Sequence, residues 1–238
     1  MKYRLTLIIA LLVFAISNTF AHAFWMETSP SGKKGQAQEV RIYFGEYADK
    51  DITPVADWFS DTKNFTLVLV TPDKKEVKLT VTPAKDHYKA YFTPDQEGVY
   101  TVVMQHTVKD VYHGKLLDYN SSATVQVGNA STGNDPAHNT NTIGIHTPAQ
   151  SAYQKNKAIT LQTLLDQQPA GSKEVEVVAP NGWGRKLYTD STGKASFTPI
   201  WPGRYMVEVT NTDKKAGELH GKKYEAIWKC ATYCVEVK

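Results

Sequence analysis

Cysteine is nearly absent. The 238 residues hold two, Cys230 and Cys234. That is too few for the disulfide framework of a small secreted scaffold, and no C-x-x-C pair offers redox or zinc chemistry. The two lie four apart in a strand-like run, KCATYCVEV. In a regular strand both point to one face, some 13 Å apart at about 3.3 Å per residue, beyond the roughly 7 Å that a disulfide spans. They are expected as small buried hydrophobes, with a bulge as the condition for a bridge. Charge excess is also missing: 27 Lys and Arg stand against 24 Asp and Glu. Such a balance gives nucleic acid or an anionic membrane surface nothing to attract. The chain has no G-x-S-x-G, no H-E-x-x-H and no glycine-rich phosphate loop. No enzymatic activity is expected. Beyond the first residues, no apolar run reaches the roughly 20 that a membrane helix needs.

What is present begins with an export leader. Lys2 and Arg4 precede an apolar stretch, Leu5 to Ile16, interrupted only by Thr6. This has the length of a signal-peptide core and is too short to span a bilayer. Ala21-His22-Ala23 fits cleavage before Phe24, and Thr19-Phe20-Ala21 fits cleavage before His22. Removing the leader leaves an exported chain with no membrane insertion of its own.

Alternating apolar and polar residues then dominate, as in Val40 to Phe44, Phe65 to Val70, Tyr100 to Val108, Glu174 to Val178, Tyr205 to Val209 and Ala231 to Val237. Turn-forming clusters such as Pro180-Asn181-Gly182 separate them, which is an all-β pattern. Thr160 to Asp166 reads equally as a helical turn or a strand. A repeat runs through the pattern. Phe92-Thr93-Pro94 followed by Gly98, Tyr100 and Val102 recurs as Phe197-Thr198-Pro199 followed by Gly203, Tyr205 and Val207. His113-Gly114-Lys115 recurs as His220-Gly221-Lys222, and Val70-Thr71-Pro72 is echoed by Val178-Ala179-Pro180. Two tandem immunoglobulin-like, Greek-key sandwiches are expected, at 22–128 and 142–238, after a leader at 1–21. The Gly-x-Tyr step fits a tyrosine corner. Segment 129–141 is polar without apolar period, and reads as a linker or exposed loop.

Candidate chemistry rests on histidine. If the mature chain begins at His22, its α-amine and imidazole Nδ1 can close one chelate ring, a nitrogen site suited to nickel or copper. His106 is the natural further ligand, and His113 and His220 complete the candidate set. Each has a plainer reading. His106 alternates with Tyr100, Val102, Met104 and Val108, as a core histidine does. His113 and His220 occupy equivalent turns, and His138 falls in the polar segment, where solvation is expected. Glu46, Asp49, Asp57 and Asp61 read as a solvated loop. The five Trp and thirteen Tyr offer a separate route, sugar stacking, with Trp183 in the turn Asn181-Gly182-Trp183-Gly184.

The start HAFWME after an alanine, with Pro202-Gly203-Arg204-Tyr205-Met206-Val207-Glu208-Val209, Gly221-Lys222-Lys223-Tyr224-Glu225 and Ala231-Thr232-Tyr233, resembles the exported family called domain of unknown function 4198. The resemblance spans most of the mature chain. It implies a periplasmic component of cobalt or nickel uptake, working with a membrane transporter, and it favours cleavage before His22. The chain departs from the family in having Phe24 where a second leading His is common. The expected function is thus periplasmic binding of a transition metal, nickel or cobalt with copper as a further candidate. The alternative is a non-catalytic surface or carbohydrate-binding module.

Overall fold

The computed structural model describes residues 22–238; the leader expected at 1–21 lies outside them. The fold is all-β. Among the described residues the helical elements are three short 3-10 turns, at 55–57, 62–64 and 136–138. Ile159–Leu165 is a strand, which settles the segment that the sequence left open. Its buried Ile159 and Leu161 enter a core, and core contact decides between the two periods.

Each copy of the repeat is a sandwich with the same strand order. In the first, Ala23–Thr28, Gln38–Glu46 and Tyr88–Phe92 form one sheet, covering the row Lys115–Val127, Gly98–Thr107, Thr66–Val70 and Glu76–Lys78. In the second, Ile143–His146, Ile159–Leu165 and Lys194–Phe197 cover Ala226–Val237, Gly203–Asp213, Glu174–Val178 and Gly184–Tyr188. The second row continues the first. Lys115–Val127 pairs in parallel with Ala226–Val237 from Lys115↔Ala226 to Ser122↔Tyr233, so these eight strands, with Ser31–Gly32 paired to Lys115–Val127, make one nine-stranded sheet that crosses the molecule.

The two cores lie on opposite faces of that sheet. Tyr119 pairs with Cys230, and both enter the first core; the next pair is Asn120 and Ala231, and Ala231 enters the second. Successive strand residues point to opposite faces. The last strand therefore serves both cores. Cys230 and Cys234 are free thiols, as the regular strand requires.

The tyrosine corners are built alike. The Tyr100 hydroxyl takes the Asp95 and Gln96 N–H groups at 3.2 and 3.1 Å. The Tyr205 hydroxyl takes the Trp201 N–H at 3.0 Å and donates to the Trp201 carbonyl at 3.1 Å. The glycine two residues earlier is required in both copies. Gly98 and Gly203 have φ of 131° and 120°. A Cβ on either would lie 2.7 Å from Pro72 or 2.9 Å from Pro180, which are themselves repeat equivalents. Tyr205→Phe should lose about 1 kcal/mol of stability by chemical denaturation, since the Trp201 amide keeps no equivalent partner.

The polar segment expected as a linker or exposed loop is packed instead. His138, Asn139 and Asn141 are buried, at 2%, 4% and 2% exposure. The reason lies on the strand Lys115–Val127. Asp118, Asn120 and Ser122 face away from the first core and are themselves buried. A buried polar group without a partner is costly, and residues 139–142 supply partners to Ser122 Oγ and Asp118 Oδ2, though not to Asp118 Oδ1 or Asn120 Oδ1. Asn139 Nδ2 donates to Ser122 Oγ at 3.1 Å, Asn141 Nδ2 to the Ser121 carbonyl at 3.0 Å, and Thr142 Oγ1 to Asp118 Oδ2 at 2.7 Å. The segment thus seals the seam between the copies. His138 is not solvated: its Nδ1 lies 3.2 Å from Asp135 Oδ2, and Nε2 3.3 Å from the Pro72 carbonyl.

Candidate metal-binding mouth

The first strand, Ala23–Thr28, sets the geometry. Phe24 and Met26 point into the first core; Trp25 points out, onto Val178 and Met206 of the second copy. Ala23 pairs with Gly45 and Phe24 with Phe44. That register ends at Ala23 and Gly45, with His22 the residue before the one and Glu46 the residue after the other. His22 is exposed, and its ring rests 5.6 Å from that of Phe44. The strand is tied to the second copy where Thr232 Oγ1 donates to the Phe24 carbonyl at 2.6 Å.

Glu46 closes the mouth on one side. Its Oε2 is buried without a hydrogen-bond partner. Burial pushes the carboxyl above its ordinary range, and the charges of Asp49, Glu176 and Asp51 add to this, against one backbone N–H from Ala48. Glu208 and Glu176 close the other side, directly opposite each other on paired strands. Like charges so placed repel. Glu208 keeps some exposed surface, but its carboxyl is strongly desolvated, and with Glu176 and Glu46 beside it is pushed up to about 7. Lys186 stands opposite Glu176 on the next strand. The sequence reads Glu46 as part of a solvated loop and singles out neither Glu176 nor Glu208. Nothing local in the sequence marks them, because strand pairing brings 176 to 208 and packing of the other sheet brings 46 to both.

The other candidate ligands lie elsewhere. His106 is buried, and its Nε2 lies 3.2 Å from Asp61 Oδ1. Burial pushes Asp61 up, but the Lys109 N–H and the His106 ring outweigh it and hold the carboxyl below its ordinary range. His106 thus latches the loop at Asp61. His113 and His220 are exposed, with φ of 45° and 49°, each just before a glycine of positive φ. They are turn residues of the repeat. Among the described residues no three His, Cys, Asp or Glu side chains are gathered to hold a metal ion.

Three solved structures share a loose likeness with the chain. A DUF4785 family protein from Legionella pneumophila is 12% identical, with a TM-score of 0.32 over 77% of this chain and 52% of that one. The chain thus spans about half of that protein's length. Fibronectin(III)-like modules of Clostridium thermocellum CbhA are 11% identical, with a TM-score of 0.25 over 89% of this chain and 94% of theirs. Trypsin-activated alpha-2-macroglobulin from Escherichia coli is 9% identical, with a TM-score of 0.28 over 91% of this chain and 16% of that one. No curated protein matches the chain. Residues 19–213 match the domain of unknown function DUF4198, and the chain belongs to that family.

Proposed function

We propose that the protein is periplasmic and binds a transition-metal ion, nickel or cobalt with copper as a further candidate, for a membrane uptake system. The observation that supports this most is the position of His22. It stands exposed at the head of the first strand, whose partner strand ends at Glu46, and Glu46 Oε2 is buried and unpartnered. Leader removal before His22 supplies what side chains alone do not, an α-amine. Amine and Nδ1 chelate together, and one carboxylate adds an oxygen donor without any third histidine. Borderline divalent ions accept such mixed nitrogen and oxygen sets. A bound cation would also offset the mutual repulsion of Glu46, Glu176 and Glu208. His106 is committed to Asp61, so Glu46 replaces it as the further ligand in this reading.

Calorimetric titration with Ni(II), Co(II) and Cu(II) tests the proposal on the chain beginning at His22. Stoichiometric binding is expected, weakened about a hundredfold or more in His22→Ala and to a similar extent when one residue is added before His22. An amide nitrogen is a poor ligand, so the second change separates a chelate from a simple imidazole contact. Affinity should fall as pH drops through about 6–7, because protons compete for both nitrogens. Unchanged affinity in the extended chain overturns the chelate.

A further inference from the structure

On the second copy, beside the turn where Gly182 approaches Ala48 of the first, two tryptophans face solvent. Trp183 is 55% and Trp201 36% exposed, and Ile200 beside them is 52% exposed. The indole rings lie 6.2 Å apart at 68° to each other. A single exposed ring is unremarkable, but two set at an angle and held still are different. Trp201 is held through its backbone, whose N–H and carbonyl both meet the Tyr205 hydroxyl. Trp183 is held in its turn, with its N–H on Asn181 Oδ1 at 3.1 Å and its carbonyl accepting from the Ala179 N–H at 2.8 Å.

The repeat supplies an internal comparison. The equivalent of Trp201 in the first copy is Gln96, and the neighbouring turn there carries Asp73. Those two loops meet through a hydrogen bond, Gln96 Nε2 to Asp73 Oδ1 at 3.2 Å. The same corner, with its tyrosine, glycine and proline, thus forms without any exposed aromatic pair. Folding does not require Trp183 and Trp201 at the surface, where apolar area in water gains nothing.

We propose that Trp183 and Trp201 form a binding platform for a neutral carbohydrate, built from other residues than the proposed metal ligands His22 and Glu46. An indole face carries negative partial charge, and one face of a pyranose presents a row of C–H bonds to it. Two rings at 68° can stack one face and border an edge of the same sugar. A cleft of about 160 Å³ opens at Gly182, next to Trp183, between the two copies. Trp25, Tyr47 and Ile52 line it, with Glu27 and Lys50. One acid and one base leave no net charge, which disfavours a polyanion or polycation and leaves donors and acceptors for hydroxyls. Two rings and an isoleucine fall short of the roughly 800 Å² per partner of a stable protein interface.

The test is titration of the chain with neutral oligosaccharides, β-1,4-linked glucose, β-1,4-linked N-acetylglucosamine and mannose oligomers, read by tryptophan fluorescence and calorimetry. At least one should bind, about tenfold or more weaker in Trp183→Ala and in Trp201→Gln, the residue of the first copy. Trp183→Tyr should keep most of the affinity. Circular dichroism of each variant confirms folding, and Trp183 lies in an exposed turn where loss of the fold is not expected. No binding by any of the three oligomers, or binding unchanged in both variants, overturns the proposal. So does concentration-dependent self-association that is abolished by Trp183→Ala, since the platform is then an interface between copies of this chain. Nickel binding should be the same in these variants as in the parent, which keeps the outcome distinct from that of the metal site.

Discussion

Glu208→Gln is expected to stabilise the protein by about 3 kcal/mol at pH 8 and to leave its stability nearly unchanged at pH 4. The side chain is the same size, so only the ionisation differs. Glu208 is pushed from 4.5 to about 7 by burial, with Glu176 and Glu46 adding to it. That change corresponds to about 3 kcal/mol against the charged form. The sign follows from linkage. A carboxyl whose folded pKa is raised contributes stability that is fully present below about 4.5 and is lost as pH rises through about 7. Above that window the native protein carries a desolvated carboxylate, and the glutamine variant does not. The groups facing it are Glu176 on the paired strand and Glu46 across the mouth, and neither relieves it. Urea unfolding of both proteins from pH 4 to pH 8 is the measurement. Parallel profiles would mean that Glu208 is well solvated and that the mouth is not electrostatically strained. Glu208→Gln should also weaken nickel binding above pH 7, because the site loses negative charge.

Phe24→Ala should lose about 3–5 kcal/mol, the range for deleting a large aromatic from a packed core. Phe24 is 1% exposed and stands at the centre of an aromatic cluster. Its ring lies 4.9 Å from Phe44, 5.3 Å from Trp58, 5.5 Å from Tyr119 and 5.8 Å from Phe65. No neighbour is small enough to fill the gap, and rigid rings relax poorly. The same residue couples stability to the site. Its carbonyl takes the Thr232 hydroxyl, and its strand carries His22. Metal affinity in Phe24→Ala should therefore fall even under conditions where the protein stays folded, while Phe24→Leu should recover a good part of both. A loss below about 1.5 kcal/mol by chemical denaturation would mean that the first strand is held by its backbone pairing and not by this ring.

The sequence by itself determined the local chemistry and the repeat. Alternation marked the buried face of most strands, because side chains in a strand change face at every residue. The FTP-to-tyrosine motif marked both corners, because a hydroxyl that returns to the backbone four or five residues earlier needs a fixed spacing, and the glycine before it meets a proline of the neighbouring turn. His113 and His220 were legible as turn residues for the same reason. The four-residue spacing of Cys230 and Cys234 was enough to rule out a bridge in a regular strand. Tertiary structure decided everything that depends on which surface covers which. The parallel pairing of Lys115–Val127 with Ala226–Val237 joins equivalent strands of the two copies, and no periodicity within either strand encodes that partner. Because it exists, Asp118, Asn120 and Ser122 are buried rather than wet. Segment 129–141 must then fold onto them, and His138 goes inside with it. Glu46, Glu176 and Glu208 are separated by 130 and 32 residues in the chain, each unremarkable alone. Only the packing of one sandwich against the sheet it shares with the other places them at one mouth, where lost hydration and mutual repulsion give them properties that no short stretch of sequence carries.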